Sequence, residues 1–165
     1  MKIERTLRHL FYPGWWLRRD FPPADLARIE QAIQNSEANH SGEIRFAIET
    51  ALPLKALWRD ESPEERAIEV FSLLRVWDTE DNNGILIYLL LADKKIEIIA
   101  DRAINKVVDK KAWQGITQQM ESFFKEGRFA DGVIFGIEEA GKHLQTHFPL
   151  NDHDENELPN KPVIL

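Results

Sequence analysis

The sequence predicts an α/β domain, a three-layer α/β/α sandwich built around a small mixed sheet. Residues 43–49 alternate between polar and apolar or small side chains, which is typical of a strand with one buried face. Residues 85–91 form an unbroken apolar run, which is typical of a strand covered on both faces. Apolar residues with the spacing of amphipathic helices lie before, between and after these segments.

Helix boundaries are predicted from this spacing and from the residues at the ends. The first helix spans residues 24–39 and follows two prolines. A second begins at Ser62, which precedes a proline and two glutamates, and ends near residues 76–77. Helices over residues 108–125 and 129–146 complete the order helix, strand, helix, strand hairpin, helix, helix.

The lengths of the connections predict how the strands pair. A short gap separates residues 85–91 from a third strand at 95–100, so these two form an antiparallel hairpin. The first strand and the second are joined through a helix, which favours a right-handed crossover between parallel strands. The segment before the second strand and the residues after the third should therefore lie at the same end of the sheet.

Composition excludes several classes of protein. The chain has 165 residues, a net charge of -7 and no cysteine. Disulfide scaffolds, thiolate zinc sites and cysteine nucleophiles are therefore excluded. We expect no nucleic-acid partner, because binding to phosphate backbones depends on excess lysine and arginine. Neither the apolar run of a signal peptide nor a transmembrane segment is visible, so a cytoplasmic location is expected.

Three regions are predicted along the chain. Residues 1–23 form an aromatic and basic arm, residues 24–148 the α/β domain, and residues 149–165 an acidic flexible tail. Trp15 and Trp16 dominate the arm, which we expect to fold back over the domain. Contact with a partner protein through these tryptophans is the next alternative, and peripheral contact with a membrane surface the last.

An acidic segment, residues 78–84, precedes the second strand and is called the acidic turn below. Chain direction places Glu43 and Asp101 beside it, and Asp109 follows close enough to join them. Such oxygen clusters suit hard cations, with Ca²⁺ favoured over Mg²⁺. The spacing does not match an EF-hand loop, and from spacing alone a solvated surface turn is favoured over a metal site. The candidate metal ligands are Asp78, Asp81, Asn83, Asp101 and Asp109.

A second group of charges has either a structural or a phosphate-binding role. Its members are Glu43, Arg45, Arg66 and Arg102. Charges on a strand with both faces covered must be paired, so Arg66 is expected to bind Glu43 or Glu49. A structural ion pair is favoured over catalysis, because ion-pair networks perturb charges without doing chemistry.

Four segments in this order resemble the TPM domain family, also called the TPM phosphatase domain, over residues 24–148. They are Ser41-Gly42-Glu43-Ile44-Arg45-Phe46-Ala47-Ile48, Asp78-Thr79-Glu80-Asp81-Asn82-Asn83-Gly84-Ile85-Leu86-Ile87-Tyr88, Ile96-Glu97-Ile98-Ile99-Ala100-Asp101-Arg102 and Gly127-Arg128-Phe129-Ala130-Asp131-Gly132. The resemblance implies an α/β/α sandwich and a shorter, soluble bacterial branch of the family. It also implies an acidic metal-binding cluster at the positions of Asp78, Asn83, Gly84 and Asp109.

Two functions follow from the resemblance and the residues together. Some members of the family are similar to acid phosphatases and others bind calcium. The favoured hypothesis is an interaction or regulatory module with an acidic, calcium-binding rim. The alternative is a metal-dependent phosphatase acting on phosphate monoesters, with no catalytic residue identified by the sequence.

Overall fold

The computed structural model describes residues 3–165, so the first two residues of the predicted arm lie outside the described part of the chain. The elements are α1 Ile3–Leu10, α2 Trp15–Asp20, α3 Pro23–Glu37, β1 Ile44–Glu49, α4 Leu54–Trp58, α5 Pro63–Leu73, β2 Ile85–Leu90, β3 Lys95–Ala100, α6 Arg102–Val107, α7 Lys110–Lys125, α8 Phe129–His147 and β4 Val163–Ile164.

The sheet has four strands in the order β3-β2-β1-β4. Strands β1 and β2 are parallel, with Ile44 opposite Ile85. Strands β2 and β3 form an antiparallel hairpin, with Ile85 opposite Ala100. The predicted parallel pairing and hairpin are therefore confirmed, and the mixed sheet is as expected.

Helices cover the sheet on both faces. One face packs against α3, α7 and α8, with Phe46 and Ile87 among the buried strand residues. The other face packs against α4 and α5, with Ala47 and Tyr88 on the strands. Side chains of successive strand residues point to opposite faces, so both faces must be apolar where the sheet is covered twice. The predicted three-layer sandwich is confirmed.

Two helical predictions need correction. The helix predicted over residues 108–125 is preceded by a separate helix, α6. Asp101 begins α6 by accepting a hydrogen bond from the Arg102 N–H, and Asp109 begins α7 by accepting one from the Lys111 N–H. Carboxylates that satisfy free N–H groups start helices, which is why one aspartate stands before each. Helix α5 ends at Leu73, earlier than predicted, and Arg75 then takes a left-handed conformation.

The predicted arm folds back in part, as two short helices. Tyr12 and Leu17 pack against the core, and the Trp16 ring is half-buried. Trp15 stays exposed, with its ring edge-to-face against Trp16 at 5.9 Å between centroids. The part of the arm around α2 is thus held by the packing of Tyr12, Trp16 and Leu17.

The C-terminal segment differs from the predicted flexible tail. Val163 and Ile164 pair with β1 as a parallel edge strand, and the Leu165 N–H donates to the Ile48 carbonyl. Leu158 is buried against the second face of the sheet. Burial of the apolar side chains in this otherwise polar segment stabilises its contact with the sheet. The polar composition of the segment did not indicate this order.

No helix in residues 3–165 combines the length and the apolar content that a bilayer crossing requires. The cytoplasmic location stays a prediction.

Gly84 should be essential for the turn before β2. A Cβ atom there would lie 2.2 Å from the Val76 carbonyl oxygen, a backbone atom that cannot rotate away. We expect Gly84→Ala to lower the free energy of unfolding by roughly 2–4 kcal/mol in urea titrations. Gly115 is the matched control, since an added Cβ meets nothing within 4 Å and alanine favours its helix. Equal effects of the two substitutions would contradict this account.

Candidate functional site

The acidic turn meets the end of β3 at the edge of the sheet. The Asp101 N–H donates to the Gly84 carbonyl at 2.9 Å, and the Ala103 N–H donates to the Asn82 carbonyl at 3.0 Å. The Arg102 guanidinium also donates to Asn82 Oδ1 at 2.9 Å. The left-handed residue of the turn is Asn82, with φ of 50°. The predicted meeting of these two segments is therefore present in the fold.

Two predicted ligands in this meeting have a buried oxygen without a hydrogen-bond partner. Asn83 donates its backbone N–H to Thr79 Oγ1 and its side-chain amide to Ser41 Oγ, which leaves Asn83 Oδ1 unpartnered. Asp101 Oδ2 is likewise buried and unpartnered. Unsatisfied buried acceptors are uncommon in folded proteins and point to a water, an ion or a ligand.

The other three predicted ligands are exposed and do not complete a metal site. Asp78 lies 3.9 Å from Arg75, Asp81 is exposed, and Asp109 caps α7. Helix α6 separates Asp109 from Asp101, and a helix of that length carries the chain about 9 Å along its axis. Within residues 3–165, no three histidine, aspartate or glutamate side chains converge as they do around a bound ion.

The carboxylates beside the acidic turn are called the acidic rim below. The C-terminal segment, rather than Asp109, contributes the rest of them. The Glu80 N–H donates to Glu157 Oε2 at 2.9 Å. The Glu43 carboxylate accepts the backbone N–H groups of Glu157 and Leu158 at 2.9 and 3.2 Å. Burial raises the pKa of Asp154, and the nearby Asp81 carboxylate raises it further. Carboxylates from the acidic turn, from the residue before β1 and from the C-terminal segment are therefore gathered at one place.

A polar cavity of about 400 Å³ lies beside this rim. Its lining is rich in carboxylate and amide oxygens and consists of Gln34, Glu37, Ala38, His40, Gly42, Glu43, Leu150, Asp154, Asn156 and Asn160. Glu37 Oε1 accepts the Ile44 N–H at 3.0 Å, whereas Glu37 Oε2 and Asn160 Oδ1 are buried without partners. The cavity therefore contains two buried oxygens that no group in residues 3–165 satisfies.

Glu37 holds a proton near pH 7, so the negative charge at this cavity comes from its other carboxylates. Burial raises the pKa of Glu37 to about 8. The neighbouring Glu43 carboxylate also raises this pKa, whereas the hydrogen bond from the Ile44 N–H lowers it. Burial and the carboxylates of Glu157 and Asp154 raise the pKa of Glu43 to about 6, although two backbone hydrogen bonds lower it. The one buried cation nearby is Arg45, among the residues that the structure describes.

His40 lies at the same cavity and is buried, although nothing in the sequence indicates this. Its Nε2 atom is 2.9 Å from Ser36 Oγ, and its Nδ1 atom has no partner. Burial lowers the pKa of His40 to about 4, so the ring is neutral near pH 7. A neutral imidazole leaves the charge balance of the cavity to the carboxylates and Arg45.

The predicted charge cluster is divided among three environments. Arg66 donates to both oxygens of Glu49 at 2.8 Å, and Tyr88 Oη donates to Glu49 Oε2 at 2.6 Å. Burial, followed by the Glu49 hydrogen bond, raises the pKa of Tyr88. This bidentate contact fixes α5 to β1, as expected for a structural pair. Of the two partners considered for Arg66, the structure selects Glu49.

Arg45 and Arg102 lie in the other two environments. Arg45 Nη1 donates to the Pro159 carbonyl of the C-terminal segment. Arg102 is exposed on the far side of the acidic turn, with Asn82 as its side-chain partner. All three arginines that a phosphatase could use on phosphate are therefore engaged in internal contacts, and Arg102 alone of the three is exposed. The phosphatase alternative stays a prediction.

Comparison with known proteins gives the family. The sequence model described as TPM domain matches residues 21–143. The chain belongs to the TPM domain family. A similar solved structure is the NMR structure of the BA42 protein from the psychrophilic bacterium Bizionia argentinensis. It is 34% identical, covers 86% of this chain and 93% of BA42, and has a TM-score of 0.76. Among curated proteins, none matches this chain.

The TPM match ends before the segment that completes the rim. Asp154, Asn156 and Asn160 all lie beyond residue 143, the last residue matched. Sequence reasoning missed them because the segment is polar, and it missed Glu37 because a helix end usually faces solvent. The apolar residues 163–165 are the one signal that could have indicated an ordered segment.

Glu37 should make the stability of this TPM domain depend on pH. Its pKa in the folded protein, about 8, is above the ordinary value of 4.5, so the folded state holds a proton that the unfolded state has lost. The free energy of unfolding should therefore fall as pH rises from about 4.5 to about 8.

We expect Glu37→Gln to flatten this decline and to be about 2 kcal/mol more stable than the wild type near pH 9. Glutamine keeps an oxygen for the Ile44 N–H and removes the charge. Urea unfolding between about pH 5 and about pH 9 measures the slope. Glu30→Gln, in the same helix, is the matched control for the loss of a carboxylate. A wild-type slope in Glu37→Gln would show that another group is responsible.

Proposed function

We propose that this TPM domain is a regulatory interaction module whose acidic rim binds a divalent cation, with calcium favoured over magnesium. The rim is defined here as Glu37, Glu43, Asp81, Asp154, Glu157 and Asn160. The observation that carries the proposal is the pair of buried, unpartnered oxygens, Glu37 Oε2 and Asn160 Oδ1, at a cavity lined by further carboxylates.

The chemistry of the rim fits a hard cation. Calcium binds six to eight oxygen atoms from carboxylates, amide carbonyls and water, in flexible geometries. Burial and the repulsion among carboxylates gathered in one place favour proton uptake, which raises the pKa of Glu37 and Glu43. A bound cation would replace the proton on Glu37 and would relieve both the repulsion and the unsatisfied oxygens. Magnesium demands a stricter octahedral geometry, which suits a rim assembled from three chain segments less well.

Binding would draw the rim together, because its side chains do not already surround a single point within residues 3–165. Asp154 and Asn160 belong to the C-terminal segment, whereas Glu37 is the last residue of α3 and Glu43 directly precedes β1. A cation held between them would join these elements and tighten the docking of the C-terminal segment. Such a coupling between an ion and the order of a segment is what a regulatory module requires.

Calcium should stabilise the full chain against heat. We expect the melting temperature to rise with CaCl₂ up to about 10 mM at constant ionic strength, because a ligand that binds only the native state stabilises it. Magnesium should give a smaller rise at the same concentration. Scanning fluorimetry or calorimetry measures both.

The variants Asp154→Asn and Asp152→Asn form a matched pair for this experiment. Both remove one negative charge from the same segment, but only Asp154 lines the cavity. Asp154→Asn should lose most of the calcium effect and Asp152→Asn should keep it. Asp109→Asn tests the ligand predicted from sequence and should also keep it. No rise in the wild type, or equal loss in Asp154→Asn and Asp152→Asn, would contradict the proposal.

A further inference from the structure

Helix α1 is attached to the domain by its polar side. Asp93, in the turn between β2 and β3, accepts hydrogen bonds from Arg5 and Arg8, each at 2.7 Å. His9 is buried, with Nδ1 accepting the Leu52 N–H and Nε2 2.9 Å from Asp93. Burial raises the pKa of Asp93, but the hydrogen bonds from Arg5, His9 and Arg8 outweigh it and lower the pKa to about 2.

The apolar side of α1 faces solvent instead. Ile3, Leu7, Leu10 and Phe11 follow the i, i+4, i+7, i+8 spacing of a single helix face. All four are exposed, and the Phe11 side chain is 74% accessible. An amphipathic helix normally buries its apolar face, so this orientation leaves a surface whose coverage would be favourable.

Further exposed apolar residues lie at the same end of the molecule. Trp15 begins α2, and Leu54 and Trp58 lie on α4, with Trp58 75% accessible. Arg5 lies 3.7 Å from Asp60, just after α4, which ties α1 to this region. The surface formed by Ile3, Leu7, Leu10, Phe11, Trp15, Leu54 and Trp58 is called the apolar end below. Isolated exposed apolar residues are ordinary, but a group of large ones marks an interaction surface.

The charges around the apolar end are mainly basic. The exposed basic residues there are Arg8, Arg18, Lys55, Arg59, Lys94 and Lys95. Fewer acidic side chains lie in this region, and three of them are paired: Asp93 binds α1, Asp20 binds Arg19 at 2.6 Å and Asp60 lies 3.7 Å from Arg5. Glu4 on α1 is exposed. The protein as a whole carries a net charge of -7. A basic surface on an acidic protein is complementary to an anionic partner.

We propose that the apolar end docks on an anionic membrane surface. Leucine, phenylalanine and tryptophan side chains enter the boundary between headgroups and acyl chains, and the surrounding basic groups contact lipid phosphates. Charge decides between a membrane and a protein partner. Basic residues surround an apolar helix face, the arrangement of interfacial helices, whereas the cores of protein interfaces are poor in lysine.

The proposal is tested with vesicles and the full chain. We expect cosedimentation with vesicles of phosphatidylcholine in which roughly a third of the lipid is phosphatidylglycerol, and little with phosphatidylcholine alone. Binding should weaken as salt rises from about 0.05 to about 0.5 M. Tryptophan fluorescence should shift to the blue on binding, as Trp15 and Trp58 leave water.

Two leucines provide a matched pair of variants. Leu7 is 50% exposed at the apolar end, and Leu73 is 64% exposed at the other end of the sheet. We expect Leu7→Ser to weaken binding to the anionic vesicles roughly tenfold and Leu73→Ser to leave it unchanged. Far-ultraviolet circular dichroism checks that both variants fold.

Three results would overturn the proposal. The first is no binding of the wild type to the anionic vesicles, and the second is equal binding by Leu7→Ser and the wild type. The third is a wild-type dimer in analytical ultracentrifugation that Leu7→Ser dissociates, since a second copy would then cover the apolar end. The cation at the rim is not involved, so failure here leaves the proposed function intact.

Discussion

The Glu43 carboxylate holds together the three segments on which the candidate site depends. It stands before β1, and its backbone carbonyl accepts the Ile85 N–H at the start of β2. Its side chain is 3% exposed and accepts two backbone N–H groups from Glu157 and Leu158. A buried carboxylate needs such partners, because leaving it unpaired costs far more than the hydrogen bonds contribute. The C-terminal segment supplies them and is thereby docked.

Docking of this segment has two consequences. It continues to Val163 and Ile164, which pair with β1 and give the sheet its fourth strand. It also brings Asp154 and Glu157 to the acidic turn, which concentrates negative charge around one cavity. The rim is thus a product of the C-terminal segment as much as of the TPM domain. A cation there would relieve the charge that the docking itself creates.

The parallel pairing of β1 and β2 separates the two proposed surfaces. Segments that precede parallel strands meet at one end of a sheet, and segments that follow them meet at the other. The acidic turn and Glu43 precede β2 and β1, whereas the loop at Leu52 and the turn at Asp93 lie at the opposite end and hold α1. The acidic rim and the apolar end are therefore on opposite sides of the domain. A membrane contact and a cation contact would not compete for the same surface.

Much of this fold could be predicted because local patterns and connection lengths determined it. Alternation and apolar runs identified β1 and β2, and chain direction alone placed Asp101 beside the acidic turn. The ligand set could not be predicted, because it depends on small local choices. Asp101 caps a short helix that carries Asp109 away, and a polar segment is retained by its last few apolar residues. The orientation of α1 was also hidden, because its apolar spacing suggests burial while Asp93 holds the polar side inward.

The central claim, a cation site shared by the acidic turn and the C-terminal segment, is tested most directly by nuclear magnetic resonance. Calcium would be titrated into the ¹⁵N-labelled full chain while amide shifts are recorded. The account predicts that the largest shifts arise at Glu80, Asp81, Ile44 and residues 154–160, which surround the rim. Shifts confined to residues 101–111, or no shifts at millimolar calcium, would contradict it.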